Sequence, residues 1–253
     1  MRTVEETGST NADLMTLAET DPESWPHLSV LSARHQSAGR GRSGRDWVVE
    51  PGTALTASIV LRPALPPTAL SWLPQVVGLA VIRALRDLGA PARAKWPNDV
   101  VLDDAGEDLE GWGRSRKVCG SLVEVTASGA IVVGIGVDVA PGSAPVPWAT
   151  SLQEAGVAAT PDDVLAAIGG HLPGLVARLE QDGGDAAASG LAAEVADVTA
   201  TLGKDISAAL PDGTTLLGRA ERLDDDGGLV VSLQAGGRRT IVSGDVTTVR
   251  LAR

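Results

Sequence analysis

Two short clusters of polar residues carry most of the chemistry that this sequence offers. Residues 39–47 read GRGRSGRDW and bring three arginines and three glycines together. Residues 95–99 read KWPND and place a cation, an aromatic ring, an amide and a carboxylate side by side. Glycine lets a backbone approach a ligand closely, and the arginine fork matches carboxylate and phosphate oxygens. The two clusters therefore predict a site for an anionic small molecule.

The glycines of the first cluster also spell G-x-G-x-x-G, the fingerprint of dinucleotide-binding sites. That site requires a helix after the last glycine and an acid about twenty residues further on. The residues after Gly44 read RDWVVEPG, which does not begin a helix, and no acid lies between Glu50 and Asp87. A P-loop is excluded because no Gly-Lys-Ser/Thr follows. We expect a loop that closes over its ligand and is mobile without it, with a plain solvated basic loop as the alternative.

The composition describes a chain with an aliphatic core and excess negative charge. Of its 253 residues 43% are hydrophobic, and the formal net charge is −11. An acidic chain disfavours nucleic-acid binding, which depends mostly on phosphate neutralisation. The single cysteine, Cys119, excludes internal disulfides and cysteine-based metal sites, and it is interpreted as core filler. We recognise no signal peptide or membrane-spanning run, so we expect a cytoplasmic protein.

Lysine is rare in this chain and lies where a site is expected. Only three of the 21 basic residues are lysines, and two of them are Lys95 and Lys117. Lys117 begins an apolar stretch, KVCGSLVE, that is typical of a strand. Because lysine carries a compact point charge and arginine a planar fork, these positions are predicted to require an ammonium group.

Periodicity and turn signals predict an α+β protein in two parts. The predicted helices cover 12–19, 72–88, 160–180 and 186–196, and the predicted strands cover 27–33, 53–61, 118–126 and 130–139. Ser9 or Thr10 is expected to cap the first helix, with Asp13 three residues after Thr10 as in a capping box. Residues 94–102 are expected to form a strand edge or loop, and residues 103–113 a solvated acidic loop. The tail at 198–253 shows about five short strands separated by turns, which is typical of a small β-barrel. The expected division is a catalytic domain at 1–197 and a barrel domain at 198–253.

Taken together, these motifs resemble those of the biotin protein ligases. Residues 39–47 are similar to that family's GRGRxGRxW loop, and residues 95–99 to its KWPND. Other matching segments follow in the same order: Ser9-Thr10-Asn11, Gln36, the strand of Lys117, Gly134-Ile135-Gly136 and Ser151-Leu152. The motifs span residues 5–155, and the tail is similar to the family's SH3-like C-terminal domain.

The resemblance implies both a fold and a reaction. The fold is a mixed β-sheet flanked by helices, of the class II aminoacyl-tRNA synthetase-like biotin–lipoate ligase type, followed by an SH3-like β-barrel. The reaction joins biotin and ATP into biotinyl-5′-AMP, with Mg²⁺, and passes biotin to a lysine of a biotin carboxyl carrier domain of a biotin-dependent carboxylase. Only eight residues precede Ser9, so we expect no N-terminal DNA-binding domain and no nucleic-acid partner.

The resemblance also implies a role for each residue of the site. Lys117 and Arg42 are the expected catalytic residues. The implied biotin-binding set comprises Ser9, Thr10, Asn11, Gln36, Gly39, Arg40, Gly41, Arg42, Lys117 and Gly120. The implied nucleotide-binding set comprises Arg42, Arg45, Trp47, Lys95, Asn98 and Asp138. Asp99 is the expected Mg²⁺ ligand.

Departures from the family pattern leave several questions open. The family usually has Asn where this chain has Asp138, and a carboxylate there would repel phosphate unless it pairs with a cation or metal. Residues 103–113 look like an insertion whose role the sequence does not indicate. The oligomeric state also stays open, with a homo-oligomer through an exposed sheet as one option.

Two other functions stay open from the sequence. Lipoate or octanoyl transfer occurs on the same fold, although those relatives lack the GRGRxGRxW loop. A non-catalytic protein that binds nucleotide or biotinyl-AMP without transfer is the second, and Asp138 is the feature that favours it.

Overall fold

The chain folds around two β-sheets, and the computed structural model describes residues 1–103 and 105–249. The first sheet contains β1 (Arg2–Thr7), β2 (Val30–Gln36), β3 (Ala54–Leu61), β4 (Ala92–Lys95), β5 (Asp99–Leu102), β6 (Arg116–Val125) and β7 (Ile131–Asp138). The second contains β8 (Asp205–Ala209), β9 (Thr215–Leu223), β10 (Leu229–Leu233), β11 (Arg238–Ile241) and β12 (Asp245–Thr248). The helices are α1 (Thr10–Thr20), α2 (Leu73–Asp87), α3 (Pro161–Gln181) and α4 (Leu191–Val198). Asp104 of the acidic loop and the last four residues of the predicted barrel lie outside the described residues.

The first sheet is mixed and has the strand order β1-β2-β3-β7-β6-β5-β4. The β1–β2 pair is parallel, and all other neighbouring pairs are antiparallel. The β6–β7 hairpin turns at Gly129, whose positive φ of 86° suits glycine. The predicted α+β class, with a mixed sheet flanked by helices, is confirmed.

The two faces of this sheet pack against different helices. The odd-numbered residues of β7 join the large core with α2, α3 and α4, whereas Val132 packs on the other face beside α1. Because strand side chains alternate between faces, Gly134, Gly136 and Asp138 also lie on the α1 face. This face, beyond the first residues of α1, is where the site is built.

Helix α2 lies at the centre of the large core. By length and composition alone, the stretch Pro67–Asp87 could cross a membrane, yet 61% of its 18-residue apolar window is buried inside the fold. Val76, Val77, Ala80 and Val81 have no exposed surface. This burial is typical of the core helix of a globular protein.

Three local predictions differ from the structure. Residues 94–102 form two strands, β4 and β5, joined through Trp96 and a cis peptide bond to Pro97. Helix α4 begins at Leu191 and not at residue 186, because Gly190 has a positive φ of 74° and the preceding residues form turns. Ser9 caps α1, but Thr10 and Asp13 do not form the expected capping box, since Asp13 accepts a hydrogen bond from Thr7.

The second sheet is antiparallel, with the order β11-β10-β9-β8-β12, and encloses a small aliphatic core. Two tryptophans of the first part of the chain attach to it. The Trp72 indole N–H donates to the Asp225 carbonyl at 2.7 Å, and the Trp96 indole N–H donates to the Gly227 carbonyl at 3.2 Å. Trp96 is itself part of the small core. The division at residue 198 stays a prediction.

Candidate functional site

A cavity of about 510 Å³ lies on the α1 face of the first sheet. This volume is within the range that small-molecule sites occupy. Every predicted site residue except Gly39 lines the cavity. Gly39 lies at the base of the arginine loop, where a Cβ atom would be 2.4 Å from the Trp47 carbonyl oxygen. A glycine is therefore needed here for this close backbone approach, and its contact with biotin stays a prediction.

The arginine loop, residues 39–47, folds as a short hairpin over the cavity. The Trp47 N–H donates to the Gly39 carbonyl at 2.9 Å, which closes the base of the hairpin. At its tip, Ser43 and Gly44 have positive φ angles of 55° and 72°, as tight hairpin turns require. The expected cover is therefore present, and the mobility of the loop without ligand stays a prediction.

Glycines form the floor on which Trp47 rests. A Cβ atom on Gly136 would lie 2.5 Å from Trp47 Cε2, and one on Gly120 would lie 3.3 Å from Trp47 Cζ3. A Cβ atom on Gly134 would lie 2.9 Å from Asn11 Oδ1. The glycines of β6 and β7 are therefore needed for space, because any side chain would displace the groups above them.

One end of the cavity is polar, uncharged and buried. Ser9, Thr10, Asn11 and Gln36 meet there, and Gln36 Oε1 accepts from the Thr10 backbone N–H at 2.8 Å and from its hydroxyl at 3.0 Å. Ser58 joins this set, with its hydroxyl donating to Asn11 Oδ1 at 3.2 Å. All five are at most 9% exposed, and Ser9 also caps α1. Ser58 could have been noticed because it is, with Thr56, one of two polar residues in the apolar strand β3.

The centre of the cavity holds two ammonium groups around one carboxylate. Lys117 Nζ is 2.6 Å from Asp99 Oδ1, and Lys95 Nζ is 3.9 Å from Asp99 Oδ2. Each ammonium also faces an aromatic ring, Lys117 that of Trp47 at 5.5 Å and Lys95 that of Trp112 at 4.3 Å. These contacts fix both lysines at the point where the loop crosses the sheet.

Arg42 adds a third, partly desolvated cation to this centre. Burial lowers the pKa of both Arg42 and Lys95, and the nearby Asp99 carboxylate opposes the shift. Arg42 donates to Asn98 Oδ1 at 2.9 Å, and Asn98 Nδ2 donates to the Ser121 carbonyl at 2.7 Å. Asn98 therefore uses both amide atoms to hold Arg42 against β6. An anion that entered this centre would meet cations that have already lost water.

Asp99, the expected Mg²⁺ ligand, is paired with two cations in this structure, and its role in holding Mg²⁺ with ATP oxygens stays a prediction. Both of its carboxylate oxygens face ammonium groups, which compete directly with a metal cation. Within residues 1–103 and 105–249, no three His, Cys, Asp or Glu side chains are grouped so that they could hold a metal ion. The side chains present therefore do not form a magnesium site of their own.

The other two arginines of the loop pair with carboxylates that the sequence did not single out. Arg40 contacts Glu124, which also accepts from Asn11 of the polar end, and Arg45 contacts Asp245 of the second sheet. Exposed pairs of this kind contribute little stability, about 0–1 kcal/mol. These ion pairs attach the arginine loop to both sheets, and an anionic ligand can take the place of their carboxylates.

The acidic loop exposes Glu107, Asp108 and Glu110 to solvent, as expected, but it is also attached to the site through two of its residues. Its Gly111 carbonyl accepts from the Thr248 N–H of β12 at 3.0 Å, and its Trp112 lines the cavity. Residues 143–149 form a second wall of the cavity. Their Trp148 lies at the cavity opening and is 41% exposed. Their tryptophans are the only sequence signal that could have indicated these two segments.

Comparison with known proteins places this architecture in a family. Residues 5–138 match the model of the Biotin/lipoate A/B protein ligase family, and residues 201–247 match that of the Biotin protein ligase C terminal domain. The chain belongs to the biotin/lipoate A/B protein ligase family. Within it, the chain is a biotin protein ligase, as predicted from the two motifs.

Individual relatives agree with this assignment. The ligase is 37% identical over 254 residues to the biotin–[acetyl-CoA-carboxylase] ligase of Mycobacterium tuberculosis, covering 98% of this chain and 88% of that protein. It is 40% identical over 144 residues to the enzyme of that name from Paracoccus denitrificans, covering 53% and 52% of the two chains. The structure of the Aquifex aeolicus biotin protein ligase in complex with biotin and ATP has a TM-score of 0.79, at 25% identity, and covers 99% and 98%.

Proposed function

We propose that this ligase activates biotin with ATP to biotinyl-5′-AMP and then transfers the biotinyl group to one lysine of a biotin carboxyl carrier domain. One observation carries the proposal: a single cavity joins a neutral, buried polar end to a desolvated cationic centre. The ureido ring of biotin is neutral and has N–H donors and a carbonyl acceptor. Thr10, Asn11 and Gln36 supply the complementary hydrogen-bonding groups at the polar end.

The first step requires charge stabilisation more than acid–base chemistry. A carboxylate oxygen of biotin attacks the α-phosphorus of ATP, a new O–P bond forms, and the bond to the β-phosphate oxygen breaks to release pyrophosphate. Negative charge accumulates around phosphorus, where Lys117 and Arg42 can stabilise it from fixed positions. No side chain of the enzyme needs to act as nucleophile, because both nucleophiles, the biotin carboxylate and the carrier amine, belong to the substrates.

The second step forms the amide bond with the carrier. The neutral ε-amine of the carrier lysine attacks the acyl carbon, the C–O bond to AMP breaks, and the nitrogen loses one proton. Until the carrier arrives, the mixed anhydride must be protected from water. Trp47 and the hairpin above the glycine floor would supply that cover.

The carrier, the metal and the compartment belong to the same proposal. Relatives named for acetyl-CoA carboxylase support a carboxylase carrier domain as the partner. Because the side chains of residues 1–103 and 105–249 form no magnesium site of their own, Mg²⁺ would arrive with the phosphates of ATP. A cytoplasmic location follows from the need for ATP and the apo carrier. The polar end favours biotin over lipoate, whose dithiolane ring has no hydrogen-bond donors.

Biotin-dependent exchange of labelled pyrophosphate into ATP tests the first step, and labelling of an apo carrier domain tests the second. Lys117→Ala should abolish exchange, and Lys204→Ala, at an exposed lysine outside this cavity, is the matched control. Exchange with lipoate but not biotin would contradict the substrate. Exchange without transfer to any carrier would favour a protein that only retains the adenylate.

A further inference from the structure

Asp138 is a buried carboxyl group with no role in the reaction described above. It ends β7, is 3% exposed, and lines the cavity. Its Oδ1 atom has no hydrogen-bond partner among the described residues. A buried polar atom without a partner costs about 1–3 kcal/mol, so this atom is expected to serve a ligand.

The surroundings of Asp138 favour its neutral form. Burial raises its pKa to about 8, Lys117 acts in the opposite direction, and Glu154 raises it further. Cys119 of β6 pairs with Val137 and lies in the large core on the other face of the sheet, where burial raises the pKa of its thiol. The carboxyl group is therefore protonated in most molecules at neutral pH.

The register of β7 places Asp138 at the end of the cavity opposite to the polar site. Gly134 lies under Asn11, Gly136 lies under Trp47, and Asp138 follows two residues later on the same face. At about 3.3 Å per residue, Asp138 is about 13 Å along the strand from Gly134. If biotin occupies the polar end and the phosphates meet the central cations, the base of the nucleotide lies at the Asp138 end.

We propose that Asp138 recognises the purine base of ATP as a neutral carboxylic acid, so that nucleotide affinity is lost when this group ionises. This rests on the proposed function, which supplies the nucleotide. A neutral carboxyl group offers one O–H donor and one carbonyl acceptor, and the adenine edge offers N7 as acceptor and the N6 amino group as donor. A carboxylate can only accept, and it would leave N7 unpaired. The acid thereby reproduces the donor and acceptor of the asparagine amide that the family resemblance implies at this position.

The same chemistry predicts selection against guanine. The corresponding guanine edge carries two acceptors, O6 and N7, and the acid has a single proton to donate. The carbonyl oxygen of the Asp138 carboxyl group would then face O6 of guanine with no hydrogen atom between them. ATP should therefore be preferred to GTP while the acid is neutral.

The test compares the wild type with Asp138→Asn, whose amide offers a donor and an acceptor at every pH. KM for ATP in pyrophosphate exchange is measured for both proteins between about pH 6.5 and pH 9. The wild-type KM is divided by the variant KM at each pH, because this ratio removes the effects of ATP and lysine titration. With a pKa of about 8, the neutral fraction falls about tenfold between pH 7 and pH 9, so the ratio should rise about tenfold. A ratio that does not change with pH overturns the proposal, as does equal use of GTP and ATP at pH 7.

Calorimetric binding of a non-hydrolysable ATP analogue, with biotin present, separates this proposal from the reaction itself. A wild-type affinity that falls through pH 8, beside a constant affinity in Asp138→Asn, supports the role of Asp138 even if neither protein exchanges pyrophosphate. Nucleotide binding without pyrophosphate exchange in either protein would count against the proposed function. Absence of any nucleotide binding would overturn both, and normal thermal unfolding of the variant is the control for its fold.

Discussion

Replacing Asp138 with Asn should change how the stability of the enzyme depends on pH. The pKa of this carboxyl group is raised by burial from 3.8 to about 8 in the folded protein. Between these values the folded state holds one proton more than the unfolded state. The free energy of unfolding therefore falls as the pH rises, by about 1.4 kcal/mol per pH unit, and becomes constant above the folded pKa. Asparagine does not titrate, so the variant lacks this contribution.

The expected difference is large enough to measure by urea unfolding, followed by the fluorescence of the six tryptophans. Between about pH 5.5 and about pH 7.5, the wild type should lose about 3 kcal/mol relative to Asp138→Asn. For a protein of this size that corresponds to about 6–12 °C in Tm. Equal dependence on pH in both proteins would show that Asp138 is ionised when folded, and the reasoning from burial would be refuted.

Three further predictions concern the loop above the cavity. Gly136→Ala places a methyl group against Trp47, and since overpacking costs about 1–3 kcal/mol, KM for ATP should rise by about tenfold or more in exchange kinetics. Arg42→Ala should release biotinyl-AMP, detected as indiscriminate labelling of lysines on a bystander protein; tight retention with normal transfer would contradict its phosphate role. Asp245→Asn frees Arg45 from its ion pair, so KM for ATP should fall by up to about fivefold at low salt, and by less at high salt.

The sequence predicted the parts of the site that are encoded locally. Residues 39–47 and 95–99 are contiguous, and their composition alone indicated a loop and a turn that bind an anion. The apolar runs at 118–126 and 130–139 indicated two strands, and the family comparisons confirm the ligase assignment. These signals depend on neighbouring residues and on strand period, which a sequence displays directly.

Contacts between distant segments were not predictable in the same way. Glu124 and Asp245 are ordinary acidic residues in an acidic chain, and only the fold brings them to Arg40 and Arg45. The acidic loop was expected in solvent because its composition is polar, but a single pairing with β12 and the ring of Trp112 hold it at the cavity. Glu107, Asp108 and Glu110 are exposed as the charge pattern predicts, whereas the pairing of Gly111 with a distant strand cannot be read from composition.

The central claim is that a carboxylate oxygen of biotin attacks the α-phosphorus of ATP within this cavity. Biotin labelled with oxygen-18 in its carboxylate, incubated with the enzyme, ATP and an apo carrier domain, tests it directly by mass spectrometry of the AMP that is released. The account predicts one labelled oxygen in each AMP formed, together with one biotinyl group on one carrier lysine. Unlabelled AMP, or a carrier that gains no biotin, would contradict it.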